Sequence, residues 1–282
     1  MFENYPPKSV VVGIDGSQAA VRAAQWAVDE VADTDNPLRL LNITELSPSA
    51  NRSETREVLA AAEDAVHNAH AAIEAMGKPV KVEMEIVEGR PLPALIDATY
   101  STPLLCIGNN GSGNGPDTGF GSTAAELVQS AHCSVAVVRG DHRADLTDSR
   151  WIVGLIDGSP DDDAALEWAF GEAERRNAPL VLMTAYESGF DLLQNDRILY
   201  EHDRRMQAIL DRDVAVRAPH HLEVDVRTVT AYGTFLTYVA EHANSIQLVV
   251  IGAIQACEVH QLVDSSGAEA LRDSDFSLLV AR

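Results

Sequence analysis

The stretch Gly108–Thr123 reads Gly-Asn-Asn-Gly-Ser-Gly-Asn-Gly-Pro-Asp-Thr-Gly-Phe-Gly-Ser-Thr, and its residue types suit anion binding without a fixed cation. Glycine has no Cβ, so successive backbone N–H groups can turn toward a phosphate. Ser122 and Thr123 add hydroxyls and can cap a helix. The stretch holds no lysine, so it is not the GxxxxGK[ST] phosphate loop. A second candidate is Asp15, in Asp15-Gly16-Ser17. Its carboxylate can accept a hydroxyl or amine of a sugar or base. It can equally close an Asx-turn ahead of a helix, and the residues alone leave both readings open.

The flanking elements say where these groups sit. The apolar run Leu104–Gly108 precedes the glycine stretch and a helical pattern over 124–131 follows it. A phosphate loop between a buried strand and a helix N-terminus is a recurrent α/β arrangement, and a flexible linker needs neither flank. Upstream, the β-branched run Ser9–Ile14 reads as a strand and ends at Asp15. Helix Ala19–Val31, strand Leu38–Thr44, helix Glu54–Met76, strand Val80–Val87, a helix from Pro91 to about Tyr100 and strand Ser134–Arg139 complete the series. Strands alternating with helices imply a parallel sheet with right-handed crossovers. Ligands of such sheets bind beyond the carboxyl ends of the strands, where Asp15 and Gly108 both lie.

The series then repeats. Val10–Ser17 returns as Ile152–Ser159, and Leu104–Gly108 returns as Leu248–Gly252. Ala23–Ala27 returns as Ala165–Ala169, each copy holding a tryptophan, Trp26 and Trp168. The offset is 142 residues at Asp15/Asp157 and 144 at Gly108/Gly252. This is a tandem duplication, with domains expected at 1–143 and 150–282 and Asp141–Ser149 as linker.

Composition narrows the function classes. The formal net charge of −22 disfavours a general role on nucleic acid or anionic membrane. The three cysteines form no CxxC pair, no apolar stretch is long enough to span a bilayer, and the N-terminus lacks a signal-peptide pattern. A soluble cytoplasmic protein is expected. His67 and His70 share a helix face but lack a completing ligand, so no protein-borne metal site is expected.

At the spacing Gly108, Gly111, Gly121, Ser122 the sequence resembles the tandem universal stress proteins of the ATP-binding subclass, with their G-x2-G-x9-G-[S/T] pattern. The resemblance covers both halves. It implies two five-stranded parallel-sheet domains of Rossmann-like, adenine nucleotide alpha hydrolase-like fold. It implies that Asp15 contacts adenine or ribose, with Gly13 on the same strand end, and that Ile43 offers its backbone to adenine. Ile107 and Gly108 would lie beneath the ribose, Gly111 would begin the ribose and phosphate loop, and Gly121, Ser122 and Thr123 would form the triphosphate-binding helix start. ATP would carry a divalent ion, Mg or Mn, on its phosphates. The last strands would pair the two domains, a homodimer is allowed, and a protein partner in the stress or dormancy response would read the nucleotide state.

The second half departs from the pattern. Asp157, Ala185 and Gly252 hold the equivalent places, but Gln255 replaces the second glycine and Ser265-Ser266 replace Gly-Ser. A side chain at the third glycine crowds a phosphate, and Glu258 and Asp264 add negative charge, so weak or absent ATP binding is expected there. No catalytic motif is present, so at most a weak ATPase activity is expected. A slow hydrolase using Asp15 or Asp117 and a nucleotide-free scaffold remain the rival readings.

Overall fold

The computed structural model of the chain describes residues 9–32, 34–111, 121–140, 149–159, 162–186, 196–258 and 274–282. The chain divides into two units, Met1–His142 and Arg143–Arg282. The first contains β1 (Val10–Gly13), α1 (Gln18–Val31), β2 (Leu38–Thr44), α2 (Arg52–Glu74), β3 (Val82–Glu88), α3 (Pro91–Ala98), β4 (Leu104–Gly108), α4 (Ser122–Ser130) and β5 (Ser134–Val138). Its sheet runs β3-β2-β1-β4-β5 and every pair is parallel. The order reverses between β1 and β4, which makes the crevice above those two strand ends the expected binding position of the fold.

The β-branched and apolar strands are central because both of their faces are covered. Val11, Val12, Leu105, Cys106, Val135 and Val137 have no exposed surface. Burying each such side chain is worth about 1.5–3 kcal/mol. Strand β3 is different: Met84 and Ile86 are exposed on this edge strand, as its alternating sequence implies. Arg39 is fully buried on β2, with its Nε 3.8 Å from Glu85 of β3. Trp26 is buried in α1, whereas its repeat partner Trp168 is half-buried.

The second unit holds β6 (Trp151–Leu155), α5 (Asp162–Arg176), β7 (Leu180–Tyr186), α6 (Asp196–Arg217), β8 (Val226–Tyr232), α7 (Phe235–His242), β9 (Ile246–Gly252) and β10 (Ser277–Ala281). Its strands follow the order β8-β7-β6-β9-β10, again all parallel. Each unit is thus an α/β domain with a five-stranded parallel sheet.

Several boundaries differ from the sequence reading for local reasons. Helix α2 starts at Arg52, not Glu54, because Asn51 is its N-cap and closes a capping box with Glu54. Helix α3 ends at Ala98, and Thr99–Ser101 form a single 3-10 turn. Strand β1 stops at Gly13 rather than Ile14: the Ile14 N–H still reaches the Leu41 carbonyl at 2.8 Å, but the Ile14 carbonyl accepts the Asn42 side chain. Helix α4 occupies Ser122–Ser130, two residues ahead of the expected start.

Candidate functional site

Three segments meet at the switch point of the first unit: the exit of β1, the exit of β4, and the start of α4. The β1 exit turns sharply at Gly16, whose φ of +85° a side chain would strain. Asp15 uses that turn. Its Oδ1 accepts the Ser17 N–H at 3.0 Å and the Ser17 hydroxyl at 2.6 Å. Ser17 is also the N-cap of α1, accepting the Ala20 N–H at 3.1 Å. The Asx-turn reading of Asp15 is therefore realised in the structure. It engages one carboxylate oxygen in the turn, and the other, Oδ2, is directed toward Gly111: it lies 3.1 Å from where a Cβ on Gly111 would stand.

The glycines around this carboxylate have separate jobs. A Cβ at Gly108 would fall 2.6 Å from the Ala19 backbone carbon, so Gly108 lets the first turn of α1 press on the end of β4. A Cβ at Gly13 would meet Ile107 at 3.2 Å. Gly121 donates its N–H to the Asn109 carbonyl at 2.8 Å and so ties the start of α4 to the exit of β4. The loop between, residues 112–120, lies outside the described residues and includes Asp117.

The expected caps of α4, Ser122 and Thr123, are not its caps. Gly121 is the N-cap, and it has no side chain to accept from the first turn. Ser122 and Thr123 are exposed residues of that turn. A helix start capped by glycine keeps N–H donors and the positive end of its dipole for an outside anion.

On the other side of β1, Ile43 is half-buried near the end of β2. Leu41 gives its carbonyl to the Ile14 N–H at 2.8 Å, toward β1. Two residues on, the Ile43 peptide groups aim the same way, beyond the last pair of the β1–β2 ladder, Gly13↔Leu41. The structure therefore brings Gly13, Asp15, Ile43, Ile107, Gly108, Gly111, Gly121, Ser122 and Thr123 to one end of the sheet. Among the described residues, no group of three or more His, Cys, Asp or Glu is placed to hold a metal ion.

The second unit keeps the turn and fills it from within. Gly158 has φ +84°, and Asp157 Oδ1 accepts the Ser159 N–H at 2.8 Å, as in the first copy. But Asp162, where the first copy has Ala20, folds back over the loop. It accepts the Gly158 N–H at 2.7 Å and the Asp157 N–H at 3.3 Å. Burial raises its pKa to about 6; the Gly158 and Asp157 N–H groups oppose the rise, and the charges of Asp157 and Asp213 add to it. At the exit of β9, buried Gln255 accepts the Gly252 N–H through Oε1 at 2.7 Å. Ala185 is half-buried near the end of β7, and Ser265 and Ser266 lie outside the described residues.

The model of the "Universal stress protein family" matches residues 7–139 and again 150–282. The chain belongs to the universal stress protein family. Universal stress protein Rv2028c of Mycobacterium tuberculosis is 40% identical over 284 residues, covering 99% of this chain and 98% of its own length. Universal stress protein Rv2624c of the same organism is 35% identical, covering 98% and 96%. Among solved structures, a universal stress protein from Archaeoglobus fulgidus DSM 4304 superposes with a TM-score of 0.70 at 17% identity, covering 99% of this chain and 97% of its own, which supports the fold.

Within this universal stress protein, sequence reasoning missed two residues. Asp162 was visible only as an aspartate in place of Ala20, and its role depends on how the loop closes. Asn42 sits in a strand that reads as apolar, yet its side-chain amide donates to the Ile14 carbonyl at 2.8 Å. His220 ends a 3-10 turn, Ala218–His220, and His221 Nδ1 lies 2.8 Å from Glu174. Among the described residues no helix is long and apolar enough to cross a membrane.

Proposed function

We propose that this universal stress protein binds one ATP per chain, in its first half, and acts as a nucleotide-dependent regulator of the stress response. One observation carries the reading. The glycine-capped start of α4 has N–H donors for an anion and converges with Asp15 and Gly111, whereas in the second half Asp162 and Gln255 bond the exits of β6 and β9 and the counterpart of the α4 start lies outside the described residues. The cradle fits the ligand: a Cβ at Gly111 would fill space beside the Asp15 carboxylate. Asp15 would accept a ribose hydroxyl or a base amine, and Ile43 would offer its peptide edge to the base. The N–H groups of Ser122 and Thr123 would hold phosphate oxygens, and a Mg or Mn ion would neutralise the remaining phosphate charge.

Nucleotide would order the glycine loop, and a protein partner would read that order. The second half would serve as a scaffold whose shape is independent of nucleotide. The test is direct. The full chain is loaded with excess ATP and magnesium, desalted and denatured, and the released nucleotide is identified and counted. One ATP per chain is expected. Two would overturn the asymmetry, and none would overturn the reading.

A further inference from the structure

The parallel ladder between β1 and β2 ends in an exchange of donors. Its last pair is Gly13↔Leu41, followed by the bond from Ile14 N–H to Leu41 carbonyl at 2.8 Å. In a continuing ladder the next bond would run from Ile43 N–H to the Ile14 carbonyl. That acceptor is instead taken by the Asn42 side chain, whose Nδ2 donates to the Ile14 carbonyl at 2.8 Å. Asn42 is only 6% exposed. Its Oδ1 accepts the Thr44 hydroxyl at 2.7 Å, which fixes the end of the amide that faces Ile14.

We propose that Asn42, held by Thr44, is a positioning residue of the nucleotide site: it satisfies the Ile14 carbonyl so that the Ile43 peptide edge stays available to the ligand's base. The inference rests on the ATP reading of the first half and adds to it the residue that keeps the base edge open. Two consequences follow from one bond. The Ile14 carbonyl immediately precedes Asp15, so holding it fixes the direction in which Asp15 leaves the sheet. The Ile43 N–H is left without the ladder bond it would otherwise make. The second half, where internal side chains serve the strand tips, lacks the pair. Thr184 stands at the place of Asn42 and Tyr186 at the place of Thr44.

The experiment uses the full chain, amide-resolved hydrogen exchange and titration calorimetry with magnesium and ATP. In the wild type, the Ile43 amide exchanges freely without ATP and is protected when ATP is added. Asn42→Thr installs the residue that the second half tolerates in its own strand, and Thr44→Val keeps the shape of Thr44 while releasing the Asn42 amide. Asn42→Thr is expected to weaken ATP binding about tenfold, the worth of one buried hydrogen bond, and, because that bond exists without ligand, to lower the thermal midpoint of the ligand-free protein as well. Thr44→Val is expected to weaken binding by a smaller factor. A purely structural role would lower the midpoint and speed exchange throughout β1 and β2 while leaving the ATP affinity of the folded protein unchanged. The inference is overturned if Ile43 is protected without ATP, or if the wild type binds ATP and both variants bind it equally well. A wild type that binds no ATP sinks the parent reading instead.

Discussion

Replacing Asp162 with asparagine should stabilise the second half at neutral pH. The Asp162 carboxyl is buried over the β6–α5 loop, and its pKa rises from 3.8 to about 6, chiefly through desolvation. A carboxyl with a raised folded-state pKa holds its proton more tightly when folded. Its contribution to stability is therefore complete below pH 3.8 and is lost as pH rises through about 6. The shift corresponds to at most about 3 kcal/mol, and the loop's access to water reduces it to about 1–2 kcal/mol. The substituted amide would keep an acceptor for the short bond from Gly158 and give up the longer one from Asp157, at 2.7 Å and 3.3 Å in the wild type. The net expectation for Asp162→Asn is a gain of about 1 kcal/mol at pH 7.5, shrinking toward zero or reversing at pH 4.5. The assay is urea unfolding at both pH values in a Trp26→Phe background, where fluorescence reports Trp151 and Trp168 of the second unit. Because many carboxylates titrate in a chain of net charge −22, the quantity read is the difference between variant and parent. A variant no more stable at pH 7.5, or one whose difference does not change with pH, would refute the reasoning.

Two glycine substitutions separate binding from folding. Gly111→Ala places a methyl 3.1 Å from Asp15 Oδ2, and should weaken ATP binding about tenfold by calorimetry while changing stability by less than about 0.5 kcal/mol. Gly108→Ala drives a methyl to within 2.6 Å of the Ala19 backbone, which cannot move without shifting α1, and should cost about 2–3 kcal/mol in denaturant melts of the ligand-free protein.

The fold was legible because buried parallel strands leave a strong mark. Leu38–Thr44 and Leu104–Gly108 are continuous apolar runs, broken only by Arg39, Asn42 and Thr44, and each forms a strand over the residues expected. Helix ends were less legible where capping competed. The Asn51–Glu54 capping box was present in the sequence as Asn-x-x-Glu and moved the start of α2. Ser122 and Thr123 have the chemistry of caps, but Gly121 already holds the Asn109 carbonyl, so the helix begins at Ser122. At the candidate site, spacing could name glycines but not divide their work. Gly108 serves the packing of α1 on β4, whereas Gly111 faces the Asp15 carboxylate. The replacement of glycine by Gln255 was visible, but its hydrogen bond to Gly252 was not, because it depends on a side-chain rotamer at the end of β9. Asn42 escaped for a similar reason: a polar residue within an apolar strand declares no partner until the strand's neighbour stops short.

The carboxylate folded over the second half's first loop also bears on how that half answers its surroundings. Asp162 is joined by a few bonds to the Gly158 amide it binds, so it acts as an anion at an effective concentration of millimolar or more that no dilution lowers. A diffusing anion has to outcompete this tethered group for the Gly158 and Asp157 N–H groups. The first loop of the second copy is therefore held by its own chain. On the proposal of one ATP per chain, the occupancy of the whole chain should rise as a simple hyperbola in ATP, without the site-to-site coupling that two open copies would permit.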